Sequence, residues 1–133
     1  MARIETRAFL GIDHSAIVVA DTEASLALYR DKLGLAVVGE AHNYGAEQEA
    51  LTGVPGASMR VTSLAGNGAF GLELLEYLAP GIGRPMPADT NANDMWWAET
   101  LIEFHQPAGK RRAMCRSMRD LDGHSLEIRG EII

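Results

Sequence analysis

The sequence predicts an α+β domain in which a β-α-β-β-β unit is succeeded by a second, shortened set of strands. Three observations predict it. Apolar runs rich in β-branched residues alternate with turn signals along most of the 133 residues. One helical pattern falls between the first two runs, with Leu26, Tyr29 and Leu33 at helical spacing. The triplet Leu-Glu-(Leu/Ile) closes both halves, around Glu73 and around Glu127.

The elements come in order along the chain. "IDHSAIVVAD" reads as the first strand. In a strand, His14, Ala16 and Val18 share one face, and Asp13, Ser15, Ile17 and Val19 the other. Asp21 is placed to cap the helix, and Glu23 favours its first turn. Gly34 stands where a left-handed residue would end it. "LAVVGEAHNY" is a second strand. "GAEQEALTGVPGA" is turn-rich with one short helical turn, and "SMRVTSLA" is a third strand. "GNG" suits a hairpin turn, and "AFGLELLEYL" is a fourth strand. Residues 79–94 hold three prolines and two glycines and read as a connector. Beyond it, "MWWAETLIEF", "RRAMCRSMRD" and "SLEIRGEI" read as strands, with a turn at Asp122-Gly123 and no helical pattern.

A single domain over residues 1–133 is expected: module one at about 8–78, the connector at 79–94, and the shortened module two at 95–133. The segment beyond the connector is too short to fold alone. The second half lacks the equivalent of a helix and one strand. That leaves a sheet face to be covered, and a homodimer is expected on that ground.

Composition narrows the function. The formal net charge of −6 disfavours nucleic acid and anionic membrane as partners. No apolar run is long enough to span a bilayer. "MARIETRAFLGID" carries Glu5 and has no apolar h-region, so no secretory signal is read there. Cys115 is the only cysteine, which suits a reducing cytoplasm; on its own it reads as a small buried or half-buried hydrophobe.

Four residues stand out: His14, Glu73, Glu99 and Glu127. Each interrupts a strand of apolar or mixed character. A carboxylate buried alone costs several kcal/mol unless it is paired, protonated or bound to a cation. One imidazole and three carboxylates on a concave sheet would form an N/O site suited to Ni, Zn, Co, Mn or Fe as the divalent metal. Spacing alone equally allows these glutamates to mark the wet faces of half-buried strands. Glu76 has the opposite parity to Glu73 and reads as a solvated or paired acid.

At these residues the chain resembles the vicinal oxygen chelate superfamily of glyoxalase, bleomycin and fosfomycin resistance proteins and extradiol dioxygenases. The resemblance is carried by "IDHSAIVVADTEASLALYRDKLGL", "LELLEY" and "RDLDGHSLEI". Leu121 replaces the proline usual in the last motif. The resemblance implies two βαβββ modules curling around a shared cleft, each supplying two metal ligands from its first and last strands. His14, Glu73 and Glu127 carry over directly. Glu99 falls where the family commonly has His or Gln. Its carboxylate argues against an extradiol dioxygenase, whose iron site needs two His and one carboxylate.

The resemblance implies one of two functions. The first is a glyoxalase-like, metal-dependent lyase or isomerase. It would act on a small oxygen-chelating substrate by proton transfer next to a carbonyl, with Glu127 as base and Glu99 opposite. The second is a metal-free protein of the bleomycin-resistance type that binds a small molecule or sequesters a drug. Trp96, Trp97, Tyr44, Tyr77 and Phe104 would then form an aromatic wall. The basic run "GKRRAMCR" reads as a solvated or dimer-facing edge. His42, His105 and His124 lie at or near turns and are expected to face solvent.

Overall fold

A computed structural model describes residues 8, 10–68, 70–104 and 115–130. Strand β1 (His14–Val18) leads through Asp21 into α1 (Thr22–Leu26), which continues as a π-helical segment over Ala27–Lys32. The Asp21 side chain accepts from the Ala24 N–H at 3.1 Å, as a helix cap should. The Leu33 N–H donates to the Leu28 carbonyl five residues back, at 2.9 Å, and Gly34 ends the helix with φ +83°. Next come β2 (Ala36–Tyr44), α2 (Ala46–Thr52), β3 (Ser58–Ala65) and β4 (Gly71–Ala79). The turn-rich segment between β2 and β3 thus contains a helix of seven residues.

The first sheet has the order β1-β4-β3-β2. β1 runs parallel to β4, a pairing that needs the long crossover through the helix. β3 is antiparallel to both neighbours. The second sheet holds β5 (Glu99–Glu103), β6 (Cys115–Arg119) and β7 (Ser125–Arg129), in the order β5-β7-β6. β5 is again parallel to β7. The fold is therefore the paired α+β arrangement with a shortened second module. β5 begins at Glu99 and not at Met95, because turn chemistry from the connector continues through Trp97, whose N–H donates to the Asp94 carbonyl at 3.0 Å. Among the described residues the second module has no helix; residues 105–114, including His105 and most of the basic run, lie outside them.

One core joins the halves. Leu26, Tyr29 and Leu33 from the helix, Leu72 and Leu74 from β4, and Leu126 and Ile128 from β7 form a single buried cluster. Each such side chain stabilises the fold by about 1.5–3 kcal/mol on burial. Alternation along a strand then fixes the rest: Glu73 and Glu127 face away from this core. Among the described residues no helix is long and apolar enough to cross a membrane. Cys115, expected to be at least half-buried, is exposed.

Candidate functional site

His14 is the first residue of β1, opposite Gly71 on β4. A Cβ at Gly71 would lie 3.0 Å from the Leu64 carbonyl oxygen and 4.0 Å from the His14 Cβ. Gly71 therefore keeps the ladder close beside the imidazole. Two residues further along β4, Glu73 brings Oε1 to 2.8 Å from His14 Nε2. On the other side of the ring, Asp13 Oδ2 lies 2.6 Å from Nδ1. Ser63, paired with Glu73 across the β3–β4 ladder, donates its hydroxyl to Glu73 Oε2 at 3.0 Å.

The hydrogen bond that His14 donates to Asp13 raises the imidazole pKa above its ordinary value; partial desolvation opposes this, and the Glu73 charge adds to it. Carboxylates at both ring nitrogens favour the imidazolium, which donates to each. The electrostatic demand is for positive charge between Nε2 and Glu73. A divalent cation meets the same demand as that proton, so the pair fits half of an N/O metal site.

The second sheet repeats this register. Glu99 is the first residue of β5 and pairs with Ser125, and Glu127 lies two residues further along β7. The offset equals that from His14 through Gly71 to Glu73. Glu99 is exposed and accepts from Trp97 Nε1–H at 2.8 Å. Glu127 is half-buried, opposite Leu101 and Ser117. The structure thus brings His14 and Glu73 together and places Glu99 and Glu127 on the outward face of the other sheet. Among the described residues, the group of three or more His, Cys, Asp or Glu donors near enough to share an ion is Asp120, Asp122 and His124.

That group is a clasp. Asp120 Oδ1 accepts from the backbone N–H groups of Asp122 at 3.0 Å and His124 at 2.8 Å. Its Oδ2 accepts from the Tyr29 hydroxyl at 2.6 Å and lies 2.9 Å from His124 Nδ1. Asp122 accepts from the Ala20 N–H at 3.3 Å. Both Asp120 oxygens are engaged, and they tie the β6–β7 turn to the helix of module one. Burial raises the Tyr29 pKa far above normal, with Asp120 adding to it. Burial also pushes Asp120 upward, but hydrogen bonds from His124 and Tyr29 outweigh it and leave its pKa lowered. The hydrogen bond to Asp120 raises that of His124. His124 is consequently part of this clasp, not a solvent-facing side chain.

The expected aromatic wall is not assembled. Only Tyr77 of the five lines the cavity beside His14 and Glu73, which measures about 480 Å³. Tyr44 packs against His42, ring centroids 5.1 Å apart. Arg119 lies over Trp97 at 4.9 Å, Trp96 donates to Thr90 Oγ1 at 3.2 Å, and Phe104 packs on the core. Glu76 is a paired acid: its Oε1 accepts from the Thr22 N–H at 2.6 Å, at the start of α1.

The family profile described as "Glyoxalase/Bleomycin resistance protein/Dioxygenase superfamily" matches residues 11–92. The chain belongs to this superfamily. Several solved structures share its fold at low sequence identity. A glyoxalase family protein from Bacillus cereus superposes with a TM-score of 0.79 at 14% identity, over 98% of this chain and 100% of that one. The fosfomycin resistance protein FosX from Listeria monocytogenes, solved with Mn(II) and sulfate, gives 0.53 at 10% identity, over 92% and 93%. TnmS3, an antibiotic binding protein from Streptomyces, gives 0.53 at 13% identity, over 92% and 97%. No curated protein matches the sequence.

Proposed function

We propose that this superfamily member is a glyoxalase-like, divalent-metal-dependent lyase or isomerase, acting by proton transfer beside a carbonyl of a small oxygen-chelating substrate. The observation that carries the reading is the 2.8 Å approach of His14 Nε2 to Glu73 Oε1 on an uncovered sheet face. His14 and Glu73 would hold the metal together with Glu99 and Glu127. Since Glu127 faces away from the core that Glu73 also faces away from, a second copy of the chain would supply the latter two. Dimerisation would also cover both outward faces. We further take the chain to be one domain and to work in the cytoplasm, where an exposed single cysteine stays reduced.

The bound cation, one of Ni, Zn, Co, Mn or Fe, would supply electrophilic stabilisation of negative charge on the substrate oxygens. FosX, of the same fold, was solved with Mn(II). The protein's own groups do the rest. Asp13 and Ser63 fix the orientations of His14 and Glu73, the supporting role that ligand side chains require. Trp97 fixes Glu99. Glu127 would accept the proton from substrate carbon and return it to the product, with Glu99 opposite it.

The test is metal retention. Protein equilibrated with Mn²⁺, Ni²⁺, Zn²⁺ or Co²⁺ and freed of excess should hold about one ion per chain by elemental analysis, and Glu73→Gln should lose it. Retention far below that, unchanged by the substitution, would sink the reading. The binding-protein alternative is favoured by one observation: the 480 Å³ cavity is formed within a single chain, whereas the four ligands are not. It predicts ligand binding in metal-free buffer.

A further inference from the structure

The cavity on the open face of the first sheet extends well beyond His14 and Glu73. Cross-strand pairing lays its floor out in rows. Ala16, Glu73, Ser63 and Gly39 form one row. Leu75, Val61 and Ala41 form the next, and Tyr77, Met59 and Asn43 the third. Four residues along a strand separate Glu73 from Tyr77, a distance of roughly 13 Å. Polarity changes along this axis from charged, through apolar, to neutral and hydrogen-bonding.

Helix α2 rims the far end with Gln48, Leu51 and Thr52. Gln48 Nε2 lies 3.1 Å from Met59 Sδ and seats the helix over the third row. Leu51 is 80% exposed, an apolar side chain presented at the rim. Among the described residues that line the cavity, those of charged type are His14, Glu40 and Glu73, without a Lys or Arg. Glu40 shares the helix-side parity of its partner Thr62 and pairs at 3.0 Å with Arg60, which also pairs with Glu23. Among the described lining residues an anionic tail would therefore find no cationic partner, and the Glu73 carboxylate would repel it.

We infer that the cavity takes an elongated substrate with an uncharged body. An apolar segment lies over Val61, Leu75 and Ala41, and a neutral amide or hydroxyl end reaches Tyr77 and Asn43 under α2. The inference rests on the reading of His14 and Glu73 as the site of the chelating head. Small side chains at Ala16, Gly39 and Ala41 keep the floor low enough for the body to lie flat.

The experiment separates head from tail. Three probes are titrated by calorimetry into the full chain loaded with Mn(II): acetohydroxamic acid, suberomonohydroxamic acid with its terminal carboxylate, and the primary amide of the latter. The amide is expected to bind about tenfold tighter than acetohydroxamic acid, because it buries its chain as well as its head. The carboxylate should gain nothing over acetohydroxamic acid. Ala41→Phe should remove the tenfold gain and leave acetohydroxamic acid binding unchanged. Tyr77→Phe should weaken the amide alone. Equal binding of amide and carboxylate, or a gain that survives Ala41→Phe, overturns the inference while leaving the head site standing. If acetohydroxamic acid does not bind at all, the metal reading fails. Octanamide added to metal-free protein then decides the tail: amide-resonance shifts at Val61, Leu75 and Tyr77 support it, and their absence overturns it.

Discussion

Glu73 and Glu127 are each flanked by residues of one hydrophobic core, and both face away from it. Leu72 and Leu74 flank the first, Leu126 and Ile128 the second, and these four belong to the same buried cluster. A single chain therefore presents its two candidate acids on separate outward surfaces.

This arrangement makes complementation the most direct prediction. His14→Ala and Glu127→Gln should each bind metal poorly alone. Mixed and allowed to exchange subunits, they form heterodimers in which one site carries both substitutions and the other carries neither. Metal binding should return in the mixture, read by elemental analysis after size exclusion. Failure to recover any would show that the four residues do not share a site.

Ser63→Ala removes the hydroxyl that holds Glu73 Oε2 at 3.0 Å and leaves the proposed ligands in place. Metal affinity should fall about 10–100-fold, the usual effect of losing a group that orients a ligand. A competition titration against a chromophoric chelator measures it. The thermal midpoint should barely change, since Ser63 is outside the core cluster.

The Asp120 clasp predicts a pH-dependent stability. The His124 pKa is raised above 6.5, so its contribution is complete below that pH and is lost as pH rises through the raised value. The Asp120 pKa is lowered below 3.8, so its contribution is complete above that pH and is lost as pH falls through the lowered value. The two overlap between pH 3.8 and 6.5. The difference in urea stability between the natural chain and His124→Gln should be largest there and should shrink above it. Asp120→Ala should cost about 3–5 kcal/mol at neutral pH, because buried donors and His124 lose their acceptor.

Glu76→Ala should cost about 0.5–2 kcal/mol by depriving the Thr22 N–H of its acceptor at the first turn of α1. Glu76→Gln keeps an acceptor oxygen and should recover most of that loss. Metal retention should be the same in both variants, because Glu76 lies on the helix-facing side of β4. Denaturant titration and elemental analysis together separate this acid from Glu73, three residues away.

Much of this architecture was legible in the sequence because it depends on local signals. Asp21 and Gly34 bracket the helix with the caps their chemistry favours. β3 spans Ser58–Ala65, as its apolar pattern indicates. The parity of Glu73 and Glu76 separates the open face from the helix face. Relationships that depend on register or on long-range packing were harder to read. Strand alternation puts Asp13 on the face opposite His14, yet the strand begins at His14 and leaves Asp13 free to fold back on the ring. Ser63 was findable in principle: a hairpin that pairs Ala65 with Gly71 must also pair Ser63 with Glu73. Asp120 gave no such signal, because its partner Tyr29 lies 91 residues away. The aromatic residues misled for a related reason: Trp96 and Trp97 precede β5, where turn geometry and not alternation sets their direction.

Two sheets packed around one core leave each chain with two unlike outward faces, and so with a valence of two. In the dimer proposed above, a two-fold rotation would set the first face of each copy against the second face of the other and close the pair. Under a rotation that fails to close, the same faces meet head to tail and the contact propagates as a filament. The Tyr29–Asp120 bond ties the helix to the β6–β7 turn, and so helps to fix the angle at which a chain presents its two faces.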